Sequence, residues 1–216
     1  LGISFRYSGL LRRAAETLAE AVRMRQACDL VGAGFEWLAL GNVQRSLGEY
    51  GLSMQNIEAQ RARLVGQRDL HLCLCDSSQA LNYLQLGQPA RALQAINASP
   101  VADDYPAWLR ADFLVVRAKI ALALGQEPAR LLALAESLLD SSDIDRSTWR
   151  YVQMERSLAL DPAQALACAR AVLDRAQGSD VFGAPISAHT RCAAAALRLR
   201  DFALAADHAQ QALGDI

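Results

Sequence analysis

A short turn-forming segment recurs along the 216-residue chain at nearly constant spacing, and this recurrence limits the folds open to it. Leu47-Gly48-Glu49-Tyr50 is followed by Leu86-Gly87-Gln88-Pro89, Leu124-Gly125-Gln126-Glu127-Pro128, Leu160-Asp161-Pro162 and Leu199-Arg200-Asp201-Phe202. From Gly48 through Gly87, Gly125 and Asp161 to Arg200 the steps are 39, 38, 36 and 39 residues. Glycine tolerates the left-handed conformation that ends a helix, and proline starts the next one where its missing N–H costs nothing. Each segment therefore joins two helices, and self-similarity at this period marks helix pairs stacked as a repeat array.

Composition agrees. Hydrophobic residues make up 52% of the chain and aromatics only 6%, so the apolar content is chiefly Ala and Leu, both good helix formers. β-Branched residues are sparse, and no run alternates Val, Ile or Thr as a strand requires. The expected fold is all-α, a right-handed α-solenoid of antiparallel helix pairs with about five repeats after an N-terminal half repeat. Apolar periodicity predicts helices at 8–30, 33–47, 50–65, 68–86, 89–97, 106–124, 127–140, 146–160, 162–177, 185–200 and 202–213. Residues 8–30 read as the second helix of a pair whose first helix is missing, so the chain is expected to be a fragment of a longer protein. The loop Ala98 to Tyr105 is the longest break and is expected to be a bend inside one domain spanning 1–216.

Small residues recur where paired helices should touch. Gly41, Ala80, Ala118 and Ala193 lie seven residues before their turns, and Ser53, Ala92, Ala165 and Ala205 follow the turns, with the third repeat fitting less well. Trp37-x-x-Leu40-Gly41-Asn42 followed by Leu47-Gly48-Glu49-Tyr50 resembles the tetratricopeptide repeat. Tyr83 matches the family's tyrosine, whereas Gln44 replaces it in the first repeat and Ser53 and Ile57 stand at the Ala-x-x-x-Phe pair. The longer period, with the cadence Leu30-Val31-Gly32 and Leu64-Val65-Gly66, is similar to the helical sensor regions of large bacterial LuxR-type, ATP-dependent transcription activators. In that family the array follows an ATPase module and precedes a DNA-binding helix-turn-helix. The resemblance implies a non-catalytic binding segment of a bacterial signalling or transcription regulator; a constitutive scaffold or adaptor is the alternative.

Other chemistries find little support. His71 and Cys75 share a helix face at i, i+4, but a zinc site needs a second pair of ligands, and His189 and His208 lie far along the chain. Cys192 and His189 are close on one helix, yet no third residue is placed to orient a base. No phosphate-binding glycine loop is present, so neither a catalytic residue, a metal nor a cofactor is expected. A formal net charge of −1 supplies no field for nucleic acid or an anionic membrane, and the arginines at 12, 13, 61, 63 and 68 are offset by acidic neighbours. The apolar stretch from Phe113 to Leu124 is interrupted by Arg117 and Lys119 and is too short to span a bilayer. Five scattered cysteines argue for a reducing, cytoplasmic setting.

What remains is the wall built by the first helix of every pair, expected to be concave. Alignment to the repeat places Phe35, Leu38, Asn42, Arg45, Gln85, Asp112, Lys119, Tyr151, Glu155 and Thr190 on it. Its mixed lining suits a protein segment or a small polar ligand. The carboxylate clamp of some tetratricopeptide domains is not expected, because Leu38 and Leu81 stand where cationic and amide residues are needed. The exposed side of residues 8–30 is the expected contact of a homodimer.

Overall fold

The computed structural model describes residues 10–28, 35–64, 70–98, 101–139, 146–176 and 184–214. Among these, eleven α-helices and no strands are found, close to the segments that periodicity predicts. The chain divides into two compact units, Leu1–Tyr105 and Pro106–Ile216, at the end of the loop expected to bend.

The first unit contains α1 (Leu11–Ala27), α2 (Glu36–Ser46), α3 (Tyr50–Arg63), α4 (Leu70–Gln85) and α5 (Pro89–Ile96). Each helix packs on the next, and α2 also packs on α4. Ala14, Leu18 and Val22 recur every fourth residue on α1, so they share one face, which closes on Trp37, Leu40 and Val43 of α2. Leu38, Ile57, Leu64 and Cys75 form a second cluster, and full burial of each large aliphatic side chain contributes about 1.5–3 kcal/mol.

The second unit contains α6 (Ala107–Ala123), α7 (Ala129–Ser137), α8 (Arg146–Ala159), α9 (Pro162–Ala176), α10 (Ala184–Arg198) and α11 (Phe202–Gly214). Here too each helix packs on its successor, while α8 additionally touches α6 and α10. The first helices of successive pairs are thus in contact within each unit.

Four of the five turns share one geometry. The N–H groups of Glu49, Gln88, Gln126 and Asp201 donate to the carbonyls of Gln44, Tyr83, Ala121 and Ala196 at 2.8–2.9 Å, satisfying acceptors that a helix end leaves open. The residue before each donor is left-handed: Gly48, Gly87 and Gly125 have φ of 80°, 68° and 71°, and Arg200 adopts 61° without being glycine. The segment Leu160-Asp161-Pro162 departs from the expected equivalence. It has no left-handed residue, and Asp161 instead caps α9, its Oδ1 accepting from the N–H groups of Ala163 and Gln164 at 3.0 and 3.1 Å.

The small residues after the turns are buried at Ser53, Ala92, Ala165 and Ala205. Before α7 the turn is longer, and the equivalent place, four residues after the residue preceding the helix, falls on buried Leu132. Gly41 permits the closest approach: a Cβ there would lie 3.0 Å from the Ser53 carbonyl oxygen and 3.1 Å from Ile57 Cγ1. Ala193 is only half-buried, whereas Cys192 and Ala196 on the same helix are buried.

Candidate functional site

Polar side chains 36 residues apart join alternate helices. Ser78 Oγ on α4 donates to Asn42 Oδ1 on α2 at 3.0 Å, and Arg45 reaches the Ser78 carbonyl at 3.4 Å. In the second unit Lys119 Nζ on α6 pairs with Glu155 Oε1 on α8 at 3.1 Å, and Arg191 on α10 approaches the same oxygen at 3.9 Å. Asn42 and Ser78, Lys119 and Glu155, and Glu155 and Arg191 are each separated by 36 residues. Glu155 is buried while both cations are part-exposed, so one carboxylate holds two positive groups at the surface.

Of the ten residues expected on the first-helix wall, Asn42, Arg45, Lys119 and Glu155 belong to these links. Leu38 is buried in the core against Ile57, Leu64 and Cys75. Phe35 is exposed and sets its edge on the His71 ring, with centroids 4.1 Å apart. Gln85 is exposed at the end of α4, and Asp112 is half-buried on α6. Thr190 is exposed and donates its hydroxyl to the Ile186 carbonyl at 2.8 Å. Tyr151 lies in α8, but its side chain is outside the described residues.

Between α3 and α4 the interior is polar. Asp76 is fully buried and forms an ion pair with Arg61, and Asn82 donates to Ser53 Oγ at 2.9 Å. His71 meets Phe35 in an edge-to-face contact, while Cys73 and Cys75 are buried on the same helix. Among the described residues no three His, Cys, Asp or Glu side chains come together as metal ligands.

Sequence distance concealed a second cluster. His189 on α10 and His208 on α11 meet with their Nδ1 atoms 2.9 Å apart. One nitrogen must donate and the other accept, so the neutral rings hold opposite tautomers. They flank a cleft of about 440 Å³ lined also by Arg170, Leu173 and Asp174 of α9, Pro185 of α10 and Gln211 of α11. His208 is buried, and its pKa lies below the usual value of 6.5, first because burial disfavours the imidazolium and then through His189 and Arg170, against the opposing pull of Asp207. Cys192, one turn along α10 from His189, is buried, and desolvation pushes its thiol up to about 11, away from the thiolate a nucleophile needs. The signal that could have found the pair is the turn itself. In an antiparallel hairpin closing at Arg200, residues 11 before and 8 after it face each other.

Comparison with protein-family models, curated proteins and solved structures gave no match. No helix among the described residues is long and apolar enough to cross a membrane.

Proposed function

We propose that the chain is a non-catalytic binding module, a right-handed α-solenoid of tetratricopeptide-like pairs that receives a protein segment on its first-helix face and serves within a bacterial signalling or transcription regulator. The observation that carries this reading is the polar series one repeat apart on adjoining first helices, above all Lys119, Glu155 and Arg191. Such a series offers charged heads on a wall whose geometry is fixed by packed helices, and an extended peptide can follow it from one repeat to the next. The raised Cys192 thiol favours binding over nucleophilic catalysis.

Selection of peptides from a displayed random library against the full chain tests the module. Binders should be selected, and Lys119→Ala and Arg191→Ala should weaken them without altering the helical circular dichroism. Peptides indifferent to both substitutions would remove this face from consideration. Small-angle scattering with a selected peptide at saturation then separates a switch from a constitutive adaptor: a changed profile supports regulation by shape, and an unchanged one supports the adaptor.

A further inference from the structure

We infer that the cleft between α9, α10 and α11 is a binding site for a small organic carboxylate, which Arg170 and the His189–His208 pair receive together with a proton. The assignment does not depend on the function proposed above.

The cleft, at about 440 Å³, has the size of a small-molecule pocket and combines apolar Leu173 and Pro185 with a few converging polar groups. Arg170 lines it and has neither an ion-pair nor a hydrogen-bond partner among the described residues. A guanidinium beside an apolar wall matches a carboxylate, which accepts two of its N–H bonds at once.

The histidine pair supplies the second recognition group. Its Nδ1–H···Nδ1 bond leaves the donor ring with a bare Nε2, so one further proton can be taken up without breaking the 2.9 Å contact. The resulting imidazolium donates to its neighbour through Nδ1 and can donate to a ligand through Nε2. Without a ligand this protonation is opposed by burial and by the Arg170 charge. A carboxylate placed beside Arg170 cancels that charge and adds an attraction, so binding and proton uptake favour each other. The same field argues against a metal cation at the two Nδ1 atoms.

The other charges around the pair set the limits of the site. Asp174 stands one turn beyond Arg170 on α9 and also lines the cleft, which disfavours a dianion and offers an acceptor for a hydroxyl or ammonium on the same ligand. Asp207 on α11 is held by Gln211 Nε2 at 2.8 Å and favours the imidazolium. On α10 Cys192, one turn from His189, is a buried thiol, and Arg191 is directed to Glu155 of α8.

The test is an NMR titration of the full chain with glycolate at about pH 5.5, 6.5 and 7.5, pH values that bracket the ordinary histidine pKa, following the ring C–H signals of His189 and His208. Saturable shifts are expected, with affinity rising toward low pH by up to about tenfold for each unit by which the ligand raises the pair's pKa. Calorimetry in buffers of different ionisation enthalpy should register the proton taken up. Arg170→Gln should abolish saturation, and His208→Asn should leave weaker binding with a reduced pH dependence. Non-saturating shifts, an affinity independent of pH, full binding by the Arg170→Gln protein, or inorganic phosphate binding as tightly as glycolate would each overturn the assignment.

Discussion

The hairpins α2–α3 and α10–α11 close on the same turn, Glu49 bonding back to Gln44 and Asp201 to Ala196, yet they are filled differently. In the first, Gly41 lets α2 and α3 pack so closely that a Cβ there would lie 3.0 Å from the Ser53 carbonyl oxygen. In the second, Ala193 at the matching place is only half-buried, and farther from the turn two imidazoles meet edge to edge beside an open cleft. The turn fixes which residues face each other. The size and polarity of the side chains along the first helix then decide whether the pair packs solid or leaves a site.

The buried polar groups beside this close-packed pair should tolerate change worst. Arg61→Ala leaves the fully buried Asp76 without its cation and should cost about 3–5 kcal/mol in urea denaturation, the penalty of an uncompensated buried charge. The double variant Arg61→Leu/Asp76→Leu should recover most of it. A loss below about 1 kcal/mol, the range of an exposed pair, would show that water reaches Asp76.

The close approach at Gly41 predicts the next largest effect. Gly41→Ala should lose about 1–3 kcal/mol by overpacking against Ser53 and Ile57, despite the better helix propensity of alanine. Gly51→Ala has open space around it in α3 and should gain up to about 1 kcal/mol. Equal signs for the two would break the contrast between a packed and an open position.

The shared turn is tested from both sides. Gly48→Ala should cost about 1–2 kcal/mol because alanine is strained at φ 80°. Arg200→Gly should gain about 0.4–1 kcal/mol by relieving the same strain. Thermal denaturation of the two variants reads both, and an Arg200→Gly protein less stable than the parent would show that the arginine side chain stabilises the turn enough to outweigh its backbone strain.

Helices were legible because their stop signals are local: Gly48, Gly87 and Gly125 announce a left-handed cap whatever the rest of the chain does. Arg200 was found only by its place in the period, and Asp161 sat at the right spacing while serving as an N-cap without a left-handed residue. On the first-helix wall, Asn42, Arg45, Lys119 and Glu155 could be aligned, but their mutual bonds could not, since a repeat period gives position and not rotamer. Leu38 illustrates the same limit, falling in the core because α2 buries that side against α3 and α4. The histidine pair is hidden for a different reason: His189 and His208 become neighbours only once α10 and α11 fold back on each other.

That pair gives the smallest expected effect. With the folded pKa of His208 below its ordinary 6.5, neither the folded nor the unfolded chain carries the proton well above that value, and the full stability is present. As pH falls below about 6.5 the unfolded chain takes up a proton that the folded one refuses, so stability declines until the folded pKa is passed. His208→Asn keeps a polar group at the site and removes the titration, so the difference in denaturation midpoint between variant and parent isolates this part of the acid dependence from that of the carboxylates. The parent should lose more stability than the variant between about pH 7 and 5, and identical slopes would mean that the buried imidazole titrates as freely as in the unfolded chain. Glycolate at saturation should flatten the parent's slope, because a carboxylate beside Arg170 restores the proton that the closed, ligand-free pair excludes.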